Sequence, residues 1–348
     1  MNTATHHQFQ TVLVTGGSGF IGSAVVTRLA SLGYNVIVPT RRLSQAKHLQ
    51  MLPTVEIVQT KLNVAADVGH IMPRVNAVIN LVGILHGRAG KKAARDLNND
   101  PRYQAESDPY GPDFGAMHVQ LPKELAQQLA EHGASGAKRF IQISAYGTHL
   151  PKQKLPSMYL RSKAAGERGV LSTLGLRSTV FRPSVVFGPG DSFLNLFAKM
   201  QKLPIVVPLA RAGCKFQPVF VDDVAQAIVN SLENTATYGK TYDLLGPEIY
   251  TLSQIVQLAG HLSGSSRLVI SLPDILGKLQ ASLLEMLPGP TLMSVDNFDS
   301  MAVDNAAPPG YVMDPELGVT PHALSVIAPT YLAPGAPRFS LERSRAGR

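Results

Sequence analysis

The sequence predicts an α/β protein built on a doubly wound parallel sheet, with a smaller C-terminal domain beside it. Short apolar runs typical of buried strands alternate with segments of helical periodicity, which is the pattern of βαβ units. A glycine-rich turn joins the first of these runs to the first helix. After Arg182 and Pro183 the alternation gives way to a segment in which proline and glycine are frequent.

Each element follows from a local pattern. Apolar and β-branched runs predict strands at 11–14, 34–38, 55–58, 76–82, 140–144 and 177–181. The first helix covers 23–32, because its apolar residues recur at helical spacing and Gly33 follows as a C-terminal cap. A helix at 221–232 is expected to pack back on the sheet. The polar, aperiodic stretch 86–113 predicts a long loop or lid.

The composition excludes several classes of protein. A chain of 348 residues with 45% hydrophobic and 16% charged residues can bury a core and is not disordered. Cys214 is its single cysteine, so neither an intrachain disulfide nor a cysteine-based metal cluster is expected, and the histidines lack metal-ligand spacing. A net charge of +8 without tryptophan does not resemble a nucleic-acid-binding surface.

A dinucleotide site is predicted where the first strand meets the first helix. Gly16, Gly19 and Gly22 recur every third residue there. Glycine lets the main chain turn tightly and approach a pyrophosphate more closely than a Cβ allows, and a helix N-terminus attracts the phosphate charge. The alternative is a turn whose glycines serve packing alone.

The end of the second predicted strand indicates which dinucleotide binds. An NAD site usually has an acidic residue there, which accepts hydrogen bonds from the ribose. This sequence has Thr40, followed by Arg41 and Arg42. A guanidinium binds a 2′-phosphate through two N–H groups, whereas a carboxylate repels it. NADP(H) is therefore favoured over NAD(H), with two solvated surface arginines as the alternative.

Tyr159 and Lys163 form a candidate catalytic pair. Positions i and i+4 share one face of a helix, so the phenol and the ammonium point into the same space. A neighbouring cation favours the ionised phenol and makes proton exchange with a substrate feasible. Ser144 follows the fifth predicted strand, at the edge where parallel sheets bind ligands, and could hold a substrate oxygen.

These stretches resemble the extended short-chain dehydrogenases/reductases (SDRs), which have a Rossmann fold. More narrowly, the chain resembles their atypical branch, which contains the nucleotide-binding accessory subunit of mitochondrial complex I (the alpha subcomplex subunit nine family) and its bacterial relatives. The resemblance runs from about residue 11 to 333 and rests on TGGSGFIG (15–22), INLVGIL (79–85), RFIQISA (139–145), YLRSKAAGE (159–167), FRPSVVFGPGD (181–191), QPVFVDDVA (217–225), LPGP (287–290) and PTYL (329–332).

The resemblance implies a role for each matching residue. Tyr159 would be the general acid/base, Lys163 would reach the nicotinamide ribose, and Pro183 would begin the segment that closes over the nicotinamide. The predicted cofactor-binding residues are Gly16, Gly19, Phe20, Ile21, Gly22, Arg41, Arg42, Leu62, Leu81, Val82, Gly83, Lys163 and Pro183. Active members usually have an asparagine relay where this chain has His118, so His118 is a candidate relay residue with packing as its alternative.

The break in the strand and helix alternation after Arg182 and Pro183, together with the helix that packs back on the sheet, divides the chain. Residues 1–181 and 216–237 form the predicted Rossmann NAD(P)-binding domain, and 182–215 and 238–333 form a smaller substrate-side domain. Residues 334–348 form a basic flexible tail.

A membrane surface is a candidate partner. The predicted amphipathic helix 273–288 has Ile275, Leu279, Leu283 and Met286 on one stripe, for which ordinary packing in the smaller domain is favoured and docking on a membrane surface is the alternative. The sequence lacks a secretory signal and an apolar run of about 18 residues, so we expect a cytoplasmic protein with peripheral contact at the inner face of the membrane.

Two functions stay open. The leading hypothesis is an NAD(P)-binding SDR-like protein of respiration, linked to complex I or to quinone-pathway proteins, whose nucleotide is largely structural or regulatory. The alternative is an active NADP(H)-dependent reductase, dehydrogenase or epimerase that uses Tyr159.

Overall fold

A computed structural model of the chain describes residues 7–62, 65–87, 110–202, 206–286 and 293–334. The strands are β1 (Thr11–Thr15), β2 (Asn35–Thr40), β3 (Val55–Gln59), β4 (Ala77–Asn80), β5 (Arg139–Ile143), β6 (Arg177–Pro183), β7 (Val186–Phe187), β8 (Val207–Ala210), β9 (Lys215–Phe216), β10 (Val219–Phe220), β11 (Thr241–Leu244), β12 (Tyr250–Thr251) and β13 (Val269–Leu272).

The α-helices are α1 (Phe20–Ser31), α2 (Leu121–His132), α3 (Met158–Leu171), α4 (Phe193–Met200), α5 (Val221–Glu233), α6 (Leu252–Leu262), α7 (Asp274–Met286), α8 (Val295–Ser300), α9 (Leu324–Ile327) and α10 (Pro329–Leu332). A helical turn (Pro112–Phe114) and a π-helical segment (Gly115–Gln120) lead into α2. Short 3₁₀ turns cover Leu43–Leu49, Ala65–Val68, Met72–Arg74, Lys152–Lys154, Thr235–Thr237 and Pro315–Leu317.

Seven parallel strands form the main sheet, in the order β11-β6-β5-β4-β1-β2-β3. The chain builds outward from β1 to β3, then returns to add β4 on the other side of β1. Strand order therefore reverses between β1 and β4, and in open α/β sheets the crevice beyond the carboxyl ends of such strands binds ligands. The predicted fold class is confirmed.

Apolar side chains cover both faces of this sheet. One core cluster joins the sheet to α1 and α5, and includes Val26 and Ile228. The cluster on the other face joins it to α2, and includes Leu13 and Leu125. The predicted helix at 221–232 is α5, which packs against α1 as expected.

The buried Arg139 ties α5 to the sheet. Its Nη2 lies 3.0 Å from the Ser231 carbonyl oxygen and its Nε lies 3.2 Å from that of Leu232, so the guanidinium satisfies carbonyls of the last turn of α5. Its Cζ lies 4.6 Å from the centre of the Tyr238 ring. A cation at this helix end also complements the helix dipole.

The sheet extends past the predicted domain boundaries. The strand predicted at 177–181 continues to Pro183, and the seventh strand, β11, lies beyond the boundary drawn at residue 237. Strand β11 is only four residues long and gains its place by pairing with β6, so its own sequence carried a weak signal. The remaining strands form three two-stranded sheets, β7–β10, β9–β12 and β8–β13, beside a separate core cluster that includes Phe197 and Ile255.

Other predictions fall partly outside the described residues. Of the loop predicted at 86–113, residues 88–109 lie outside them, as do 335–348 of the tail and the LPGP stretch at 287–290. The amphipathic helix predicted at 273–288 is α7. Among the described residues, none of the helices combines the length and apolar character needed to cross a bilayer.

Candidate functional site

The glycine turn between β1 and α1 brings main chain against main chain. Gly16 has φ +75°, a conformation that favours glycine. A Cβ on Gly22 would lie 2.2 Å from the Gly16 oxygen and 2.6 Å from the Gly17 Cα. Side chains larger than hydrogen are therefore excluded at Gly22, and the turn packs tightly under the first turn of α1. Gly17 was not singled out from the sequence, yet its Cβ would lie 2.9 Å from the Val14 oxygen.

The N-terminus of α1 faces the crevice without a side-chain cap. Gly19 is its N-cap residue, no side chain of the described part of the chain caps it, and its first turn contains no acidic residue. Phe20 and Ile21 pack their side chains against apolar clusters, so what they can offer a ligand is their N–H groups. Free N–H groups at the positive end of a helix dipole are suited to an anion.

Two exposed arginines follow β2. The Thr40 side chain is buried and lies 3.4 Å from the Ser18 hydroxyl, which joins the glycine turn to the end of β2. Arg41 and Arg42 are exposed, and within the described ranges neither guanidinium has an ion-pair partner. Ser18 was missed from the sequence because its proximity to Thr40 depends on the pairing of β1 with β2.

The ends of β3 and β4 complete the wall beside the turn. A Cβ on Gly16 would lie 3.0 Å from the carbonyl carbon of Leu81, so the turn rests on the chain leaving β4. Leu62 and Val82 border the same core cluster. Gly83 lies against the Tyr159 and Lys163 region, because a Cβ there would lie 3.0 Å from the Lys163 Nζ.

Tyr159 and Lys163 lie one turn apart on α3. The Nζ of Lys163 is 3.4 Å from the Val82 oxygen and 3.3 Å from the Ile143 oxygen, and the side chain is buried. Burial lowers the pKa of Lys163 to about 8. The pKa of Tyr159 is raised to about 12, mainly by burial and further by the carboxylate of Asp296.

Ser144 has an unpaired buried hydroxyl. It directly follows β5, and its Oγ has no hydrogen-bond partner among the described residues. An unsatisfied buried polar atom is costly, which makes this hydroxyl a place for a ligand oxygen. Lys163 reaches the adjacent Ile143 carbonyl, so the two predicted residues lie at the same edge of the sheet.

His118 has both ring nitrogens engaged. Its Nε2 accepts a hydrogen bond of 3.0 Å from the Ile84 N–H, and its Nδ1 lies 2.9 Å from the Ser162 hydroxyl, which donates onward to the Tyr159 carbonyl. Burial and the nearby Lys163 cation hold the pKa of His118 well below its usual range. These contacts fix a neutral imidazole, and a proton relay would require one of them to break.

Asp296 on α8 was missed from the sequence. Its carboxylate accepts hydrogen bonds from the N–H groups of Met158 at 2.7 Å and Tyr159 at 3.1 Å. It thereby caps α3 from a distant part of the chain, and its negative charge lies beside the predicted acid/base. No local motif marks such a contact.

Pro183 lies at the end of β6, where its carbonyl accepts the N–H of Tyr146. Beside it, Arg182 forms a partly buried ion pair with Glu167 of α3, with 2.6 Å between Nη2 and Oε2. This pair, also missed, fastens the helix carrying Tyr159 to the sheet.

The residues present fit a dinucleotide. The turn at 16–22 is a cradle that a Cβ would fill, the N-terminus of α1 is uncapped, and Ser144 offers an unpaired hydroxyl at the opposite end of the crevice. The turn could hold a diphosphate at the end of β1, and Ser144 could pair with a ligand oxygen at the end of β5, with β4 between the two strands.

Comparison with known proteins identifies related sequences. Residues 12–101 and 105–244 match the model of the NAD dependent epimerase/dehydratase family. The chain is 29% identical over 325 residues to the mitochondrial NADH dehydrogenase (ubiquinone) 1 alpha subcomplex subunit 9 of Arabidopsis thaliana, covering 89% of this chain and 74% of that protein. It is 29% identical over 319 residues to the Mus musculus subunit of the same name, covering 90% and 77%.

A solved structure shares the fold. UDP-glucuronic acid 4-epimerase from Bacillus cereus, in complex with UDP-glucuronic acid and NAD, superposes with a TM-score of 0.59 at 17% identity, covering 84% of this chain and 99% of that one. At this identity the likeness concerns the fold alone.

Replacing Gly22 with alanine tests the turn. We expect Gly22→Ala to lower the free energy of unfolding by about 1–3 kcal/mol, because the added methyl overlaps the Gly16 carbonyl. Thermal protection by dinucleotide should also be lost. Gly213→Ala is the control, since a Cβ there meets nothing within 4 Å. A Gly22→Ala protein as stable and as well protected as the parent would contradict the close packing.

The lowered pKa of Lys163 predicts a pH dependence of dinucleotide binding. Below about pH 8 its ammonium can donate charge-assisted hydrogen bonds, and above it the amine is neutral. Affinity should therefore fall about fivefold as the pH rises through this value, measured by calorimetric titration. Lys163→Met should bind more weakly and without this step, while Lys199→Met, an exposed lysine on α4, should keep it. A step that persists in Lys163→Met would assign it to another group.

Proposed function

The chain belongs to the NAD dependent epimerase/dehydratase family, and on that premise we propose that it retains a dinucleotide, NADP(H) in preference to NAD(H), mainly as a structural or regulatory ligand. The uncapped N-terminus of α1 behind the glycine turn carries this proposal. A diphosphate there receives the N–H groups of Phe20, Ile21 and Gly22, and its charge meets the positive end of the helix dipole.

The preference for NADP(H) rests on the charges at the end of β2. NAD sites usually have a ribose-binding carboxylate at the position of Thr40, and such a carboxylate would repel a 2′-phosphate. Arg41 and Arg42 are cations without an ion-pair partner in the described ranges. Ser18 and Thr40 supply hydroxyls next to them. A 2′-phosphate would therefore gain charge-assisted hydrogen bonds that NAD(H) lacks.

The electrostatics around Tyr159 favour retention over turnover. A pKa near 12 keeps the phenol protonated at neutral pH, and the Asp296 carboxylate opposes its ionisation. Lys163 would hold ribose hydroxyls, and the engaged nitrogens of His118 give no open route for a proton. A bound nicotinamide supplies hydride chemistry in an enzyme. In a chain that only retains the dinucleotide, binding stabilises the folded state by mass action, and no turnover is needed.

A respiratory complex is the proposed partner, with the chain peripheral at the inner face of the membrane. Relatives that are similar along about nine-tenths of this chain are named as subunits of an NADH dehydrogenase (ubiquinone). This likeness extends past the family match, which stops at residue 244, and so includes the C-terminal part of the chain. Retention of a nucleotide would stabilise the form of the chain that the complex binds.

One observation favours the alternative of an active NADP(H)-dependent reductase, dehydrogenase or epimerase. The Ser144 hydroxyl is buried, unpaired within the described chain, and close to the Lys163 side chain. A substrate carbonyl could accept its hydrogen bond while Tyr159, protonated at neutral pH, acts as a general acid.

The NADP(H) preference is tested by thermal unfolding with NADPH and NADH at matched concentrations. NADPH should protect more strongly, and an Arg41→Ala/Arg42→Ala variant should lose about tenfold or more of the preference while keeping NADH protection. Arg168→Ala, an exposed arginine in the last turn of α3, is the control. Equal protection of the parent by both dinucleotides would overturn the preference. Absence of protection by either, with no nucleotide co-purifying, would overturn dinucleotide binding.

Tyr159→Phe separates retention from catalysis. If the nucleotide is structural, the variant keeps NADPH protection, co-migrates with the respiratory complex and supports quinone reduction by isolated membranes at the parental rate. The variant removes only the titratable hydroxyl, so binding should change less than twofold or so. Loss of the cellular function with nucleotide binding intact would establish the enzyme alternative instead.

A further inference from the structure

Helix α7 packs with its small residues inward and its large residues outward. Gly277 and Ala281 are buried, and a Cβ on Gly277 would lie 2.7 Å from the Ala210 Cβ of β8. Four large side chains on the opposite arc are exposed, namely Ile275 (84%), Leu276 (49%), Leu279 (55%) and Leu283 (58%). At about 100° per residue these four span an arc of roughly 100°. Ordinary packing in the smaller domain would bury this stripe. The structure instead leaves Ile275, Leu279 and Leu283 exposed.

Strand β13 and the residue before it carry two further exposed apolar side chains. Leu268 and Ile270 are exposed to 68% and 44%, and Pro273 alone separates β13 from α7. Within the described residues β13 pairs with β8 on one side only. We call Leu268, Ile270, Ile275, Leu276, Leu279 and Leu283 the apolar surface.

The described chain ends at Pro334, which contacts the loop between α6 and β13. Pro334, the last described residue, packs on Gly264, where a Cβ would lie 3.2 Å from the Pro334 Cγ. Gly264 precedes Leu268 by four residues. The residues that follow Pro334 carry four arginines and one glutamate, namely Arg338, Glu342, Arg343, Arg345 and Arg348.

We propose that the apolar surface docks on an anionic lipid bilayer, with α7 lying along the interface and the arginines beyond Pro334 binding lipid phosphate. The six side chains are leucine and isoleucine, without the tyrosine, tryptophan or arginine that anchor protein interfaces. Aliphatic side chains on one helical arc, next to a cationic segment, are the two features that hold a peripheral helix at a charged membrane.

Helix α7 packs on α8 through Ala281 and Phe298, and α8 contacts the helix that carries Tyr159. Asp296 caps the helix of Tyr159, and the Asn297 Nδ2 lies 3.3 Å from the Leu85 oxygen beyond β4. A chain docked through α7 would therefore hold the mouth of the crevice near the lipid. This orientation rests on the proposed function, in which the partner is a membrane-bound complex, whereas the docking itself does not.

Flotation of the purified full-length chain with vesicles tests the docking. The chain should bind vesicles of phosphatidylcholine and phosphatidylglycerol more strongly than vesicles of phosphatidylcholine alone. Leu279→Glu should lower binding to both by about tenfold or more. Leu174→Glu, which places the same charge at a leucine that is 89% exposed outside the apolar surface, should bind like the parent. Arg→Gln at positions 338, 343, 345 and 348 together should remove only the preference for phosphatidylglycerol.

Several outcomes would overturn the docking. They are an absence of vesicle binding by the parent chain, parental binding by Leu279→Glu, or a dimer in light scattering that Leu279→Glu dissociates, since a second copy would then cover the surface. NADPH protection measured on the same variants separates the two proposals. Leu279→Glu should keep it, and a parent chain that floats without binding nucleotide would contradict the proposed function alone.

Discussion

Main chain packed on main chain holds the crevice of this protein in shape. The turn after β1 rests on the end of β4 at Gly16, and the first turn of α1 closes on the same turn at Gly22. The approach at Gly22 leaves no room for a Cβ, and the positive φ of Gly16 favours glycine there, so two glycines fix the direction of α1 relative to the ends of β1 and β4. The chain beyond β4 then brings Gly83 against Lys163, and the position of α3 follows from the same packing. The glycine turn and the Tyr159 region are thus joined by one continuous set of contacts.

The sequence was informative wherever the physical cause of a feature is local. Glycine spacing, the helical offset of Tyr159 and Lys163, and the apolar runs of six strands all depend on neighbours along the chain, and the structure has these elements close to their expected bounds. Local sequence patterns could not predict contacts between segments that are distant along the chain. Asp296 lies 137 residues from Tyr159, and β11 is a strand because β6 offers it a parallel edge. Ser18 meets Thr40 only after β1 and β2 have paired.

Charge burial sets the chemical character of the crevice. Lys163 is buried beside carbonyl oxygens at 3.3–3.4 Å, and burial lowers its pKa more than the charge of Glu167 raises it. Burial likewise favours the neutral form of Tyr159 and raises its pKa, and the negative charge of Asp296 raises it further. The pair is therefore a neutral acid beside a weakly held cation, whereas a general base would need an ionised phenol stabilised by that cation. Ligand oxygens at Lys163 and Ser144 would compensate the buried ammonium and pair the buried hydroxyl, which supports the proposal that the crevice holds a nucleotide.

The orientation of α7 shows what a hydrophobic pattern alone leaves open. A stripe at 275, 279 and 283 has the same periodicity whether it faces the core or the solvent, and the decision lies with Gly277 and Ala281, whose small size lets the helix approach β8 closely. Close backbone packing stabilises α7 without its large residues, which stay available for another surface. Through α8 the same unit reaches Asp296 and so contacts α3. Helices α7 and α8 thus carry, on one part of the chain, the exposed apolar residues of α7 and, at Asp296, a carboxylate that opposes ionisation of Tyr159.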